Sequence, residues 1–421
     1  MQICLFEDKL TDNFYPLALS RPVYDLVCGT KTIREKIFSI FSGHKLLLHC
    51  REYLKPLVST QNSSVPVNQI VDDECLFING RLINAKGFFD SEVLKQKEDI
   101  IFTSKGNIAG AKLSGKNLES IKSQFNDVLN FDLLNNIKTI EVDVLLAQYL
   151  WDLIRFNKDE IENDFAVLYD EKKKSGEEKI KGKVYNGVHL LSPDNIIIEE
   201  GAIIKPGCVI DASIGPVIID KNAYLYPNVV IEGPVYIGEN SKIKAGAFIY
   251  DGVSICSVCK VGGEVEASII MSFSNKQHAG FLGHAFIGSW CNLGADTNNS
   301  DLKNNYSNVK VNLNGKEIDS GMQFLGLIMG DHSKTAINTM FNTGTVTGFS
   351  CNIFDSGFPP KLIPSFMWGG SQSLSTYDLN KSIEVAKKVF ARRTKEFSIE
   401  DEKLFRIIFD KTAELRNRLK K

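Results

Sequence analysis

Three histidines, His278, His284 and His332, are available for acid–base or metal chemistry. A neutral imidazole can accept a proton near neutral pH or bind Zn²⁺. A zinc site needs its imidazoles to converge within about 2.1 Å of one ion, and histidines spaced by six residues lie on neighbouring faces of a six-residue repeat. This spacing argues against a three-histidine zinc site, which remains as an alternative. Cys256 and Cys259 have a metal-like C-x-x-C spacing but no second pair, so we interpret them as buried packing residues.

The region that holds these side chains repeats every six residues. One small or turn-prone segment separates each aliphatic residue from the next, and the aliphatic positions are Ile219, Leu225, Ile231, Ile237, Ile243, Ile249, Ile255 and Val261. A hexapeptide repeat gives one short strand and one turn per six residues, with three strands closing each coil. We therefore predict a parallel β-helix over 191–370. The polar stretch 295–321 interrupts the period and should form a loop on one face, where binding groups tend to lie.

The first 165 residues alternate short apolar runs with helix-like patterns, which predicts an α/β domain with a mainly parallel sheet. A helix is expected over 141–165, with Trp151 as a packing residue. The mixed charge run that follows indicates a connector over 166–190. The tail 371–421 should form two amphipathic helices, with Ser398 and Asp401 as a capping pair.

Composition excludes several classes of protein. With 49 Lys+Arg against 51 Asp+Glu and no basic stripe, we expect neither a nucleic-acid nor a membrane partner. The sequence has no run of about 18 apolar residues, and its nine cysteines show no regular spacing, so we expect a cytoplasmic protein with free, buried thiols.

The segment 274–306, SNKQHAGFLGHAFIGSWCNLGADTNNSDLKNNY, has hexads on both sides and an α/β domain in front. It resembles the bifunctional N-acetylglucosamine-1-phosphate uridylyltransferase/glucosamine-1-phosphate acetyltransferase family, and is most similar to its divergent sugar nucleotidyltransferase branch. The resemblance implies a Rossmann-like nucleotidyltransferase domain followed by a left-handed β-helix that assembles as a homotrimer. It further implies a nucleotide sugar product such as UDP-N-acetylglucosamine, for cell-envelope biosynthesis.

The family's acetyltransferase motif is matched by His278, by Leu282-Gly283 and by Asn292-Leu293-Gly294-Ala295. The resemblance implies that His278 is the general base that takes a proton from an amine attacking the thioester of acetyl-CoA. Asn292 would orient the sugar, and Gly294 and Ala295 would line the acetyl-CoA site.

Two departures weaken the match for the acceptor. Phe281 replaces a tyrosine of the motif, and Asp301 stands near the position of an asparagine. The family's basic residues for the sugar phosphate are not matched, so the acceptor need not be glucosamine 1-phosphate. The lysines available as replacements are Lys242, Lys244, Lys276 and Lys303.

The N-terminal domain departs further from the family. Glu7 and Asp8 stand where a Gly-rich phosphate loop is expected, while Pro16 to Pro22 keep a likeness of the following segment. The resemblance leaves five residues as candidates to bind phosphate or nucleotide, namely Arg21, Arg34, Lys36, Asn79 and Gly80. Arg81 occupies the place of the family's Mg²⁺-binding aspartate. Asp72, Asp73 and Glu74 are upstream alternatives, so the metal ligands stay unassigned.

The leading hypothesis is a bifunctional transferase. Its substrates would be a sugar 1-phosphate, a nucleoside triphosphate and acetyl-CoA, with Mg²⁺ if the first domain is active. The alternative keeps the hexapeptide acyltransferase, or makes the solenoid a scaffold, and gives the N-terminal domain only nucleotide binding.

Overall fold

A computed structural model describes residues 1–84, 98–134 and 136–418. An N-terminal α/β domain is followed by a three-sided solenoid of parallel strands and by C-terminal helices. The predicted fold class is therefore confirmed at this level, while the left-handed sense of the solenoid stays a prediction.

The strands of the N-terminal domain are β1 (Gln2–Phe6), β2 (Val27–Cys28), β3 (Lys31–Thr32), β4 (Lys45–Leu48), β5 (Glu74–Asn79), β6 (Leu82–Asn84), β7 (Ile100–Ser104), β8 (Asn107–Ser114), β9 (Lys138–Glu141) and β10 (Leu145–Leu146). Six of them form the main sheet, in the order β4-β1-β5-β8-β7-β9. The first helices of the domain are α1 (Ile33–Ile40), α2 (Lys55–Gln61) and α3 (Gly115–Lys122). The sheet is mainly parallel, as predicted: five of its six strands run in one direction, and β8 alone is reversed, because a tight turn at Lys105 and Gly106 joins it to β7.

Helix α4 (Leu150–Ser175) joins the two domains. It begins nine residues later than the expected start at 141 and runs through the expected boundary at 165, ending where Gly176 adopts a left-handed conformation with φ of 71°. Asn157 on this helix accepts from the Gly29 N–H at 2.7 Å and donates to the Gly252 carbonyl at 2.8 Å. The helix thereby fixes the N-terminal domain against the solenoid. Trp151 is buried against Tyr149, as the packing interpretation expects.

The solenoid consists of three ladders of short strands. The first ladder contains Lys183–Val184, Ile203–Ile204, Tyr224–Leu225, Lys242–Ile243, Lys260–Val261, Asn275–Lys276, then Lys334–Thr335, Asn352–Ile353, Met367–Gly369 and Leu374–Thr376. The second contains His189–Leu191, Val209–Asp211, Val230–Glu232, Phe248–Ile249, Glu264–Glu266, Phe281–Gly283, then Asn298–Asn299 and Met340–Phe341. The third contains Ile196–Ile198, Val217–Ile219, Val235–Ile237, Val253–Ile255, Ile269–Ile270, Phe286–Ile287, Ile328–Met329, Val346–Thr347 and Leu362–Ile363.

The eight aliphatic residues of the unbroken hexads are all fully buried. Each therefore removes its whole side chain from water, which is the main contribution of the repeat to stability. The first ladder strand lies at Lys183–Val184, before the predicted start at 191. The interruption forms an antiparallel hairpin, Lys310–Leu313 with Lys316–Asp319, on the outside of the coils.

The C-terminal tail forms three helices, α5 (Leu379–Ala391), α6 (Ile399–Lys411) and α7 (Ala413–Arg418). Ser398 and Asp401 make the predicted capping box at the start of α6. Phe390 of α5 stacks on Trp290 with 4.0 Å between ring centroids, which holds the tail on the solenoid. None of the helices in the described ranges is long and apolar enough to cross a membrane.

Candidate active site

His278 lies on an exposed corner between a first-ladder and a second-ladder strand. The next coil stacks directly on this corner, because Asn292 bridges to Asn275 and the Asp296 N–H donates to the Ala279 carbonyl at 3.0 Å. Adjacent strands in a ladder are separated by about 5 Å. The imidazole and the amide of the predicted motif therefore come from neighbouring coils, with Asn292 on the first-ladder face that leads into this corner.

Gly294 and Ala295 lie on the second of these coils. The backbone N–H of Gly294 has a hydrogen-bond acceptor within the solenoid, whereas that of Ala295 has none in the described chain. The Gly294 N–H donates to Thr335 Oγ1 at 2.9 Å, and a Cβ at this position would collide with the backbone of Ala336. Close approach of the coils thus requires glycine there. The Ala295 N–H donates to no residue within the described chain, so of the two it is the donor available to a ligand.

Lys276 supports the His278 corner from inside the solenoid. Its side chain is buried, and its Nζ donates to the carbonyls of Gly262 at 2.9 Å, His278 at 3.2 Å and Gly280 at 2.5 Å. Burial lowers the pKa of Lys276 to about 8, while the three carbonyl acceptors hold the protonated form. Sequence reasoning considered Lys276 as a phosphate ligand, but the structure uses it to fix the turn that carries the histidine.

A cluster of cations lies beside this corner on the outer face of the first ladder. Lys242 pairs in register with Lys260, and Lys260 pairs with Asn275. Arg393, at the end of α5, donates to Asn275 Oδ1 at 2.8 Å. Burial lowers the pKa of Lys260, and Arg393, Lys242, Arg392 and Lys244 lower it further by repulsion.

This cation cluster, defined as Lys242, Lys244, Lys260, Arg392 and Arg393, forms no carboxylate ion pair within the described chain. It is therefore suited to an anionic ligand. The sequence suggested only Lys242 and Lys244, because the register of the ladder and the return of α5 bring the other three cations there.

In the N-terminal domain, Arg21 does not face open solvent. Its guanidinium pairs with Asp331 of the solenoid, and Ser20 Oγ donates to the same carboxylate at 2.6 Å. The second oxygen of Asp331 accepts from the Ser289 N–H at 2.8 Å. Arg21 thus links the two domains.

Arg34 and Lys36 are also paired. Arg34 Nε lies 2.7 Å from Asp25 Oδ1, and Lys36 Nζ lies 2.5 Å from Glu160 Oε2. Burial raises the pKa of Asp25 to about 6, although Arg34 opposes the shift. The phosphate-binding roles expected of Arg21, Arg34 and Lys36 stay predictions, since a phosphate would have to displace a carboxylate from each cation.

A buried ion pair between Asp8 and Arg81 lies beside Asn79 and Gly80. Arg81 Nη2 lies 2.6 Å from Asp8 Oδ2, and Asn79 Nδ2 donates to the same oxygen at 2.8 Å. A Cβ on Gly80 would come within 2.9 Å of the Tyr24 ring, so its backbone is enclosed. The expected nucleotide-binding role of Asn79 and Gly80 stays a prediction.

The same arrangement does not fit a Mg²⁺ ion. Both carboxylate oxygens of Asp8 lie within 3.2 Å of Arg81 Nε, which places a cation where the metal would be. Of the upstream acids, Asp72 pairs with Lys45 at 2.8 Å and Glu74 with Lys112 at 3.0 Å. We therefore derive no step through a metal.

His332, the third histidine of the zinc alternative, is buried among aromatic rings. Its ring centroid is 4.8 Å from that of Phe405 and 5.9 Å from that of Phe390, and its Nδ1 has no hydrogen-bond partner among the residues that the structure describes. Burial lowers the pKa of His332 well below its usual value. Across the described ranges, no three His, Cys, Asp or Glu side chains converge on a metal position.

The buried cysteines agree with the packing interpretation. Every cysteine is free and buried, including Cys256 and Cys259.

Comparison with protein families gives two matches. Residues 3–173 match the sugar nucleotidyl transferase family, and residues 216–251 match the bacterial transferase hexapeptide repeat. A bifunctional protein GlmU of Methanocaldococcus jannaschii is 33% identical over 212 residues, which cover 48% of this chain and 41% of that protein. A bifunctional sugar-1-phosphate nucleotidylyltransferase/acetyltransferase of Sulfurisphaera tokodaii is 29% identical over 67% of this chain and 74% of that protein.

The alignment spans about two fifths of the length of the Methanocaldococcus relative. Among solved structures, the Arabidopsis UDP-N-acetylglucosamine acyltransferase aligns with 52% of this chain and 78% of its own, at 15% identity and a TM-score of 0.24.

Proposed function

We propose that this chain, which is similar to bifunctional sugar nucleotidyltransferase/acetyltransferases, transfers an acyl group in its solenoid and a nucleotidyl group in its N-terminal domain. The product would be a nucleotide sugar such as UDP-N-acetylglucosamine, made in the cytoplasm by a homotrimer for cell-envelope biosynthesis. The observation that carries the acyl half is the His278 corner with its adjacent cation cluster.

The acyl transfer follows from the groups at that corner. The amine of an amino-sugar phosphate, oriented by Asn292, attacks the thioester carbon of acetyl-CoA while His278 takes its proton. The Ala295 N–H donates to the oxyanion of the tetrahedral intermediate. The intermediate then expels the thiolate of coenzyme A, which receives the proton from His278, and an amide remains on the sugar.

The cation cluster accounts for the phosphate of the acceptor or of acetyl-CoA. Lys244, Gly262 and Gln277 stack on three successive coils, since Gly262 contacts the Lys244 side chain on one side and the Gln277 carbonyl on the other. Lys244 is therefore two coils from Gln277. Two coils correspond to about 10 Å, which is within the length of a phosphorylated sugar lying between the cluster and His278.

A paired assay on one preparation tests the two halves. It measures thiol release from acetyl-CoA with glucosamine 1-phosphate, and pyrophosphate release from UTP or dTTP with sugar 1-phosphates. His278→Ala should reduce thiol release by about 10²–10⁴-fold and leave pyrophosphate release unchanged. His189→Ala, an exposed histidine of the second ladder, is the matched control and should change neither rate. An unchanged thiol-release rate in His278→Ala would overturn the assignment of the base.

A second candidate function is favoured by the Asp8–Arg81 pair. In this alternative the N-terminal domain binds a nucleotide or sugar phosphate without transferring it, because an Asp8–Arg81 ion pair occupies the positions at which the family has its Gly-rich loop and its Mg²⁺-binding aspartate. Pyrophosphate release with any of the named substrates would exclude this alternative. Thiol release without pyrophosphate release would support it.

A further inference from the structure

A cavity of about 370 Å³ lies where helix α4, the solenoid and the interruption meet. In the structure the interruption spans 300–327, between the ladder strands Asn298–Asn299 and Ile328–Met329. This cavity is separate from the His278 corner. The two histidines lie at opposite ends of the second-ladder strand Phe281–Gly283, with His278 before the strand and His284 after it. His284 and Glu266 line it from two neighbouring coils, and Phe324 closes it from the interruption.

Within this cavity, His284 is held by an acidic partner. Its Nδ1 lies 2.9 Å from Asp301 Oδ2, and both side chains are mostly buried. The ring stacks on Phe324 with 5.1 Å between centroids. A Cβ at position 283 would collide with the Asp301 carboxylate, so Gly283 makes room for the pair. The carboxylate bonds Nδ1 and orients the ring, which leaves Nε2 to form a hydrogen bond with a ligand.

The interruption of the repeat builds this arrangement. The Leu325 N–H donates to the Asp301 carbonyl at 2.8 Å, and the Gly326 N–H donates to the His284 carbonyl at 2.9 Å. These two hydrogen bonds hold the two ends of the interruption beside the imidazole. A loop held in this way on a rigid scaffold is a common position for a binding residue.

The charges around the cavity favour a cation. Lys158 of α4 pairs with Asp251 at 2.7 Å, so these two neutralise each other. Arg155 of the same helix pairs with Asp152 at 3.6 Å. The Glu266 carboxylate has neither a hydrogen bond nor a lysine or arginine partner in the described chain, and burial raises its pKa. Asp301 and the exposed Glu264 add negative charge nearby.

We propose that this cavity binds a small hydroxyl-bearing primary amine, such as an amino sugar without phosphate, as a second site. Glu266 holds the ammonium group, His284 Nε2 forms a hydrogen bond with a hydroxyl, and Phe324 covers the apolar face of the ring. The assignment of the amine as a sugar rests on the proposed function, whereas the requirement for a hydroxyl-bearing cation rests on the cavity alone.

Isothermal titration calorimetry of the full chain with glucosamine tests the proposal, with N-acetylglucosamine and glucose as neutral comparisons. Glucosamine should bind at least about tenfold more tightly than either. Glu266→Gln should weaken glucosamine binding by about tenfold or more while neutral-sugar binding stays unchanged, whereas Asp301→Asn, which acts through His284 and the hydroxyl, should weaken the binding of all three sugars. Glu232→Gln is the matched control, because Glu232 occupies the corresponding exposed position in an earlier strand of the same ladder.

Failure of this site and failure of the proposed acyl transfer are distinguishable. His278→Ala should retain glucosamine binding at the cavity even if it abolishes thiol release. Absence of glucosamine binding, or binding that is unaffected by Glu266→Gln in a variant with wild-type thermal stability, would overturn the proposal. If Glu266→Gln fails to fold, Phe324→Ala on the exposed side of the cavity provides the same test and should also weaken binding.

Discussion

Lys276 should give the solenoid a pH-dependent stability that can be calculated from its burial. Its pKa falls from an ordinary 10.5 to about 8 in the folded chain, so between these values the unfolded chain binds more protons than the folded one. Stability therefore rises with pH through this window. The ammonium costs the folded state about 3 kcal/mol at pH 7 and about 1 kcal/mol at pH 10, a difference of about 2 kcal/mol.

Urea unfolding of the wild type and of Lys276→Met between pH 7 and pH 10 measures this difference. The variant lacks the titrating group, so the free energy of unfolding of the wild type, relative to that of the variant, should rise by about 2 kcal/mol over this range. Thr347→Val, at a neutral buried position of the third ladder, is the control and should give a constant difference. A difference between wild type and Lys276→Met that does not change with pH would refute the reasoning. The Met variant should also release thiol more slowly, because the carbonyls of the His278 turn lose their common donor.

Three further substitutions test the packing around the sites. Asp331→Asn should lower the free energy of unfolding by about 3 kcal/mol, because the partly buried Arg21 loses its counter-ion. Asp132→Asn, in the exposed pair with Lys9, should change the free energy of unfolding by less than about 1 kcal/mol. Urea unfolding midpoints of the two variants measure the contrast. Arg81→Met should cost about 3 kcal/mol by leaving Asp8 without its guanidinium, and a loss below about 1 kcal/mol in the same assay would contradict the buried ion pair. Phe390→Ala should cost about 3 kcal/mol and expose the indole of Trp290, which a red shift of tryptophan emission would report.

The solenoid could be predicted from the sequence because its period alone decides which side chains face inward. Ile219 through Val261 satisfy the six-residue rule, and all eight aliphatic positions are buried. Cys256 and Cys259 could be assigned to packing for the same reason. A repeat of this kind needs only contacts between neighbouring coils, so local spacing carries most of the information.

Partners that come from distant parts of the chain could not be predicted. Arg21 meets Asp331, 310 residues away, and Lys36 meets Glu160, 124 residues away. Spacing gives no signal for such pairs, so these cations were interpreted as open to phosphate. The pairing of His284 with Asp301 was missed because the interruption of the repeat brings the carboxylate back to the next coil.

The distribution of paired and unpaired cations gives the two halves different electrostatics. In the N-terminal domain, a phosphate that binds Arg21 must displace Asp331, whose side chain is only 4% exposed and would be left buried without a counter-charge. At the solenoid, a phosphate that binds Lys260 displaces no acid and relieves its repulsion by four neighbouring cations. Phosphate binding is therefore opposed by the loss of an ion pair in the N-terminal domain and favoured by charge attraction at the solenoid. For this physical reason, the acyl-transfer half of the proposal rests on the stronger structural support, and the paired assay should detect thiol release at lower substrate concentration than pyrophosphate release.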